Sequence, residues 1–322
     1  MEVFTQDLPH NITLIDTEYG RRGCAASYLL QDSGRAAFIE TGAGAAAPRL
    51  MAVLEQKGIP PEAVDFVIVT HIHLDHAGAA GRLLRDLPNA RLAVHPLGAR
   101  HMADPERLVA STIAVYGEEA FRTLHGEIPP IPVHRILEMA DGSTLTLGSR
   151  TLTFLYSPGH ARHHHCIWDE TSRGLFTGDT LGIAYPELAG PLGPFVYPAT
   201  TPTQFDPAAL HLSLDRLAAL QPEWLYFTHF GPLRFERTLV GELHRLVDRI
   251  SILAQGTRKA GAEQKSRLVD GMRKVFMGRL AKVGCPLNAQ QVNELLAMDL
   301  DLNAQGLIHW VERLEKGPRP QR

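Results

Sequence analysis

The feature that most constrains the fold of this chain is an apolar segment followed at once by a cluster of histidines. Residues 66–69 read Phe-Val-Ile-Val, and residues 70–76 read Thr-His-Ile-His-Leu-Asp-His. The apolar run predicts a buried strand, and a sharp loop after it can direct several side chains at one point. Imidazole and carboxylate ligands together suit Zn²⁺, Fe or Mn²⁺. The segment therefore indicates a metal site rather than a polar loop with incidental histidines.

Three later segments have the same form, an apolar run that ends in one side chain able to bind a metal. The first ends in His160, the second in Asp179 and the third in His229. A ligand at the carboxyl end of a strand is held in position by a rigid element. We therefore expect these side chains to belong to the same site as the histidine cluster.

The order of these motifs resembles that of the metallo-β-lactamase superfamily, in which an HxHxDH motif precedes a later His, an Asp and a final His. The resemblance covers roughly residues 10–235. It implies seven ligands for two metal ions: His71, His73 and His160 for the first, Asp75, His76 and His229 for the second, and Asp179 as the bridge between them.

Ligand chemistry independently favours two ions. Seven ligands are too many for one four-coordinate ion with an open position, but they suit two ions that share a carboxylate. Such paired ions can hold a bridging hydroxide and clamp the charge that develops during displacement. We expect two divalent ions, with Zn²⁺ first and Fe or Mn²⁺ as alternatives. Asp75 and Asp179 are the expected catalytic carboxylates.

Five further residues are weaker candidates for contacts around the metals or the substrate. His164 falls where many family members carry a histidine, and it would orient a ligand or substrate unless the backbone satisfies it. Glu40 stands where the family usually has Asp, and we expect a hydrogen-bond acceptor rather than a ligand. Lactonases of the family typically carry a tyrosine three residues after the bridging Asp. Gly182 stands at that position here, and Tyr185 is a candidate substitute three residues further on. Phe195 and Tyr197 lie in a proline-rich loop, where they would line the substrate cleft or simply pack.

The predicted reaction is hydrolysis of a small ester, lactone, thioester or phosphodiester by a metal-bridging hydroxide. Residues 181–194 lack the Cys-Gly-Arg that usually follows the bridging Asp in glyoxalase II thioesterases, which weakens a glutathione thioester as substrate. The alternative is an iron-dependent oxygen-handling or sulfur dioxygenase-type member of the superfamily. A sulfur dioxygenase usually lacks part of the second metal's ligands, whereas His76 and His229 are both present here.

The resemblance implies an α/β fold, a four-layer αββα sandwich with a C-terminal helical extension, whereas periodicity alone predicts only a mixed α/β protein. We expect a catalytic domain over residues 1–235, with a helical insert at about residues 98–130. The helical extension is expected over residues 236–322. An N-cap at Asp104 and a first helical residue at Pro105 are predicted within the insert.

Apolar stripes at helical spacing predict several helices in the extension. One stripe runs from Glu242 to Leu253, and the others cover residues 262–283, 289–299 and 303–315, with a break at 300–302. These stripes must be buried, either against the rest of the chain or against a second copy. We expect a homodimer, because two-fold dimers are the commonest soluble oligomers.

Composition narrows the classes of partner and the compartment. The 322 residues include 32 basic and 35 acidic ones, which argues against a broad nucleic-acid surface. No apolar run reaches the roughly 20 residues of a membrane span, and the first residues lack the pattern of a signal peptide. Three widely spaced cysteines do not suggest a disulfide framework. We therefore expect a cytoplasmic enzyme that acts on a small molecule, without nucleic acid or membrane partners.

Overall fold

The structure is a computed structural model that describes residues 3–200 and 202–316. The chain divides into two compact units. The first comprises the described residues up to Tyr156 together with His163–Gly178 and Pro222–Phe235. The second comprises Ser157–Arg162, the described residues of Asp179–Gln221, and those from Glu236 onward. The helical extension predicted after residue 235 thus shares its unit with two earlier segments.

The first unit contains a seven-stranded sheet whose strands lie side by side in chain order. The first four strands are antiparallel to one another, and the last four are parallel. The strands are β1 (Thr5–Leu8), β2 (Ile12–Asp16), β3 (Ala26–Asp32), β4 (Arg35–Ile39), β5 (Val64–Ile68), β6 (Arg91–Val94) and β7 (Ile136–Glu138).

The second sheet of the first unit has six strands in the order β13-β12-β11-β10-β9-β8. Only β11 and β12 run parallel; the other neighbours are antiparallel. The strands are β8 (Thr144–Leu147), β9 (Arg150–Tyr156), β10 (His165–Asp169), β11 (Gly174–Gly178), β12 (Trp224–Phe227) and β13 (Gly231–Arg234).

The two sheets pack face to face around an apolar core. Leu30 and Ile39 of the first sheet join Phe154, Ile167 and Phe176 of the second in one buried cluster. Alternate side chains of a strand point to opposite faces, so the first sheet also has a second apolar face. That face is covered by helices and forms a separate buried cluster. The first unit therefore has three layers: helices, a sheet and a second sheet.

Six α-helices lie among the described residues of the first unit. They are α1 (Ala47–Gln56), α2 (Leu74–Ala77), α3 (Ala80–Asp86), α4 (Pro96–Ala103), α5 (Glu106–Tyr116) and α6 (Glu118–Leu124). The last three account for most of the predicted insert. The predicted cap is wrong by one residue, because Pro105 is the N-cap and α5 begins at Glu106. Asp104 instead accepts a bond from the Glu106 amide with its side chain, 3.4 Å away.

The described residues of the second unit comprise four α-helices together with Ser157–Arg162 and the segment that follows Asp179. The helices are α7 (Pro207–Ala219), α8 (Arg237–Thr257), α9 (Gln264–Val283) and α10 (Ala289–Lys316). The stripe of α8 is buried, with Leu243, Val247 and Ile250 at 1% exposure or less. Helix α8 packs on α7, α9 and α10. The apolar stripes of the extension are thus buried within this unit of the chain.

One helix of the extension is longer than predicted. Residues 300–302 were expected to break the helix, but α10 is continuous from Ala289 to Lys316. The segment contains no Gly or Pro, so nothing in it opposes helical backbone. By contrast α9 ends at Val283, where Gly284 adopts the left-handed conformation that glycine tolerates. Within residues 3–200 and 202–316, none of the helices combines the length and the apolar composition of a membrane span.

Candidate metal centre

The strongest candidate site in the first unit is formed by Asp75, His76 and His229. Asp75 and His76 lie in the short helix α2, and His229 follows β12. Ligand atoms of the three side chains all lie within 4.8 Å of one another. The two Nε2 atoms are 3.3 Å apart, and Asp75 Oδ2 lies 3.6 Å from His76 Nε2 and 3.4 Å from His229 Nε2.

The opposite nitrogen of each imidazole is held by an acceptor. His76 Nδ1 lies 2.8 Å from Glu40 Oε2, and His229 Nδ1 lies 2.7 Å from the Cys24 carbonyl oxygen. A carboxylate or carbonyl can only accept, so each Nδ1 carries the proton and donates. Each Nε2 then presents a lone pair. Two facing lone pairs beside a carboxylate suit a bound cation, and an acceptor behind the ring is the usual partner of a metal-binding histidine.

Glu40 is the residue that holds this arrangement from behind. Its side chain is 1% exposed, and its Oε1 accepts from the Thr70 amide at 2.9 Å. The backbone of Glu40 has φ 66°, a region that costs energy for most residues other than glycine. The carboxylate therefore connects the start of the histidine loop to the His76 ring. Glu40 thus contacts the predicted ligand His76 at the ring nitrogen opposite the one that faces His229.

The first two histidines of the motif also face each other. His71 Nε2 lies 2.9 Å from His73 Nδ1, and the Thr70 hydroxyl lies 3.0 Å from His71 Nδ1. The His71 side chain is fully buried. The rings of His71 and His76 are 4.0 Å apart between centres, so the histidines of the loop form one cluster.

His164 lies directly beside this cluster. Its ring stacks on that of His71, with centres 4.8 Å apart and planes within 29°. Gly178, at the end of β11, has φ 47°, and a Cβ at this position would collide with His164 Nε2 and with the Thr70 hydroxyl. The backbone thus needs glycine here to let the two side chains approach. His164 is held in place by close packing, and a role toward metal or substrate stays a prediction.

The remaining two predicted ligands belong to the second unit. His160 Nε2 lies 3.4 Å from Asp179 Oδ2. His160 Nδ1 lies 3.0 Å from the Ala199 carbonyl oxygen, so this ring also donates from one nitrogen and presents the lone pair of the other. Both side chains are buried. Within this unit they form an imidazole–carboxylate pair of the kind that binds divalent metals.

The aromatic candidates of the second unit are packed side chains. Phe195 and Tyr197 are at most 1% exposed and contact the Phe276 ring of α9. The Tyr185 hydroxyl donates to Asp299 Oδ1 at 3.3 Å. Sequence analysis left two roles open for Phe195 and Tyr197, lining the substrate cleft or simple packing. These contacts are packing contacts. A substrate contact by any of the three stays a prediction.

Sequence reasoning did not identify Tyr19 as a site residue. Its ring lies 5.8 Å from that of His125, which in turn lies 5.6 Å from that of Tyr116. Burial raises the pKa of Tyr19 well above its ordinary value, and the charges of Tyr116 and Asp75 act in the same direction. Burial lowers the pKa of His125, against the influence of Asp75. The insert therefore brings His125 within electrostatic reach of Asp75 and packs it between the rings of Tyr19 and Tyr116. The signals in the sequence were the length of the insert and its aromatic residues, Tyr116 and His125 among them.

Comparison with known proteins places the chain in a family. A family model described as the metallo-β-lactamase superfamily matches residues 21–229. The structure of ST1585 from Sulfolobus tokodaii, an archaeal member of that superfamily, covers 93% of this chain and 99% of its own, with a TM-score of 0.64 and 20% identity. The fold predicted from the sequence is thus confirmed: two β-sheets with helices, of the metallo-β-lactamase type, and C-terminal helices.

Three curated relatives were compared by sequence. ST1585 is 27% identical over 171 residues, which cover 52% of this chain and 61% of that protein. The chicken acyl-coenzyme A thioesterase MBLAC2 is 28% identical over 176 residues, which cover 51% of this chain and 59% of that enzyme. A hydroxyacylglutathione hydrolase of Aeromonas hydrophila is 27% identical, and the match covers 68% of this chain and 69% of the enzyme. The chain thus spans about three fifths of the first two relatives.

Proposed function

The chain belongs to the metallo-β-lactamase superfamily, and we propose that it is a metal-dependent hydrolase of thioesters. The observation that carries the proposal is the convergence of Asp75, His76 and His229. The two imidazoles present Nε2 atoms 3.3 Å apart, while Glu40 and Cys24 hold their other nitrogens. A site built this way orients its ligands before the cation binds.

We assign two divalent ions to the seven predicted ligands. Asp75, His76 and His229 are the proposed ligands of one ion. His71, His73 and His160 are the proposed ligands of the other, with Asp179 shared. The donor set fits this assignment because it contains five imidazoles and two carboxylates, which suit Zn²⁺, Fe or Mn²⁺. Zn²⁺ is the first choice.

The chemistry of the proposed site follows from these side chains. Bound divalent ions lower the pKa of water and stabilise negative charge on a carbonyl oxygen. Asp75 accepts a hydrogen bond from the attacking water, and its carboxylate is 19% exposed and so open to the solvent side. Glu40 keeps the His76 proton on Nδ1. Burial raises the pKa of Tyr19 further above its ordinary value, so this side chain stays a neutral phenol that is hydrogen-bonded to Tyr116.

Thioesters are preferred over the other predicted substrate classes. The names of two relatives, an acyl-coenzyme A thioesterase and a hydroxyacylglutathione hydrolase, denote thioester substrates. The absence of the Cys-Gly-Arg segment from residues 181–194 disfavours glutathione as the thiol. We therefore propose a thioester of a different thiol, with acyl-coenzyme A the first to test.

A substrate panel tests the proposal. Purified protein loaded with Zn²⁺ is assayed on acyl-coenzyme A, acyl-glutathione, aryl ester, lactone and phosphodiester substrates. We expect the highest kcat/KM on an acyl-coenzyme A, and a loss of two orders of magnitude or more in Asp75→Asn, as general acid–base groups typically contribute about 10²–10⁴-fold. Asp86→Asn, at an exposed carboxylate of α3, is the matched control and should retain full activity. Turnover confined to phosphodiesters, or full activity in Asp75→Asn, would refute the proposal of a metal-dependent thioester hydrolase.

A further inference from the structure

A second cluster of histidines and carboxylates lies between α7 and α8 of the second unit, outside the proposed centre. His211 and Asp215 are four residues apart on α7, and His244 and Asp248 are four residues apart on α8. Residues at this spacing share one face of a helix. The pairs are crossed between the helices: His211 Nε2 lies 3.0 Å from Asp248 Oδ1, and His244 Nε2 lies 3.1 Å from Asp215 Oδ1.

The two imidazoles meet edge to edge. Their Nδ1 atoms are 2.5 Å apart, their planes are within 7°, and their centres are 4.8 Å apart. The centre-to-centre distance equals the Nδ1–Nδ1 distance plus about one ring radius on each side, so the rings lie side by side with the Nδ1 atoms facing. Each Nε2 donates its proton to a carboxylate that can only accept. If both rings are neutral, the two Nδ1 atoms present lone pairs to each other, an arrangement that either a shared proton or a bound metal ion relieves.

The same pattern occurs at the proposed centre of this chain. There His76 gives one nitrogen to Glu40 while the other faces the nitrogen of His229 at 3.3 Å. A tetrahedral ion bound at about 2.0–2.1 Å needs its two nitrogens roughly 3.3 Å apart. His211 and His244 need to separate by less than 1 Å to meet that distance. Both rings are about a quarter exposed, so a small rotation of each side chain is open to them.

We propose that His211 and His244 form a peripheral binding site for an imidazole-preferring divalent metal, with Asp215 and Asp248 orienting the two rings. Imidazole suits Zn²⁺, Ni²⁺ and Cu²⁺, whereas Mg²⁺ and Ca²⁺ prefer oxygen ligands. The two carboxylates offset the charge of the bound ion. Two protein ligands leave the other positions of the metal to water or to a donor group from another molecule. The site is therefore expected to bind more weakly than the proposed seven-ligand centre.

Zn²⁺ itself is the probe. Equilibrium dialysis at buffered free Zn²⁺ measures the equivalents bound by the full chain, by the double variant His211→Asn/His244→Asn, and by His309→Asn, a control at a half-exposed histidine of α10. We expect the double variant to bind one equivalent fewer than wild type, and the control to match wild type. Thioester turnover should be equal in all three, which separates this site from the proposed centre.

The carboxylates provide a second and milder test. Asp215→Asn and Asp248→Asn should each lower the affinity for the additional Zn²⁺ ion by about 10–100-fold, the usual effect of losing the partner of a metal-binding histidine. Cu²⁺ should bind there more tightly than Zn²⁺, and Mg²⁺ should not compete. Equal Zn²⁺ stoichiometry and affinity in wild type, the double variant and both Asp variants would overturn the proposal, leaving two histidines that share only a proton.

Discussion

At the scale of single residues, Glu40 is the side chain on which the geometry of the proposed centre most depends. Its two carboxylate oxygens hold the His76 ring and the Thr70 amide. In Glu40→Gln the oxygen facing His76 can be replaced by an amide NH₂, which cannot accept from Nδ1. Metal affinity should fall by about 10–100-fold while the fold persists. Competition with a chromophoric chelator measures this. Glu55→Gln, at an exposed position of α1, is the control and should bind metal as wild type does.

A buried histidine makes the stability of the first unit depend on pH. Burial lowers the pKa of His165 to about 3, because a charged imidazole is poorly solvated there. In the unfolded chain this group titrates near 6.5. Between these values the unfolded state holds more protons, so the free energy of unfolding decreases as the pH falls. The contribution is complete above about pH 6.5, and each pH unit below it costs up to about 1.4 kcal/mol.

Urea unfolding of wild type and His165→Asn between about pH 7 and pH 4 tests this dependence. In His165→Asn the free energy of unfolding should depend less steeply on pH, because one fewer group takes up a proton on unfolding. His134→Asn, at an exposed histidine, should keep the wild-type slope. Identical slopes in wild type and His165→Asn would show that His165 does not carry the effect.

At the scale of helices and strands, alanine substitutions at two glycines should change the free energy of unfolding in opposite directions. Gly278 lies inside α9, and a Cβ there would meet open space. Gly278→Ala should therefore raise the free energy of unfolding by about 0.8–1 kcal/mol, because alanine is the better helix former. Gly178→Ala should lower it, since its Cβ would collide with His164 and Thr70 and its φ is positive. Thermal and denaturant melts measure both, and a stabilised Gly178→Ala would contradict the packing described around His164.

The elements that were predictable are those with a strong local pattern. The apolar run at residues 66–69 predicted β5, and the apolar runs before His160, Asp179 and His229 correspond to β9, β11 and β12. The short edge strands β1, β7 and β13 were missed, because three or four partly exposed residues carry little periodicity. Glu40 was expected to accept a hydrogen bond, but the histidine that it holds and the role of the Cys24 carbonyl could not be predicted. Cys24 lies just before β3 and Glu40 just after β4, and only the folded sheet brings the Cys24 carbonyl behind His229 and Glu40 behind His76.

At the scale of the whole molecule, bound metal should contribute to stability, because the proposed ligands come from distant parts of the sequence. A ligand that binds only the folded state stabilises it by about 2.7 kcal/mol when its concentration is 100 times its dissociation constant. Removing metal with a chelator should lower the melting temperature, and adding Zn²⁺ should restore it. A variant with a weakened centre, His76→Gln, should respond less to both. An equal change in melting temperature in His76→Gln and wild type would contradict the role of His76 in binding a stabilising metal ion.

The oligomeric state remains a prediction. The apolar stripe of α8, which motivated a homodimer, is covered by helices of the same chain. Light scattering of the full chain measures its mass, and a monomer would overturn the dimer while leaving the metal centre unaffected.

The central claim is that two metal ions act together, and a Zn²⁺ titration of the metal-free protein tests it most directly. The His211→Asn/His244→Asn variant is used so that the proposed peripheral site takes up no metal. Thioester turnover and bound Zn²⁺, measured by elemental analysis, are followed in the same samples. Turnover is predicted to reach its maximum at two equivalents per chain, and Asp179→Ala is predicted to retain one equivalent and little activity. A maximum at one equivalent, or two retained equivalents with normal turnover in Asp179→Ala, would contradict the two-metal account.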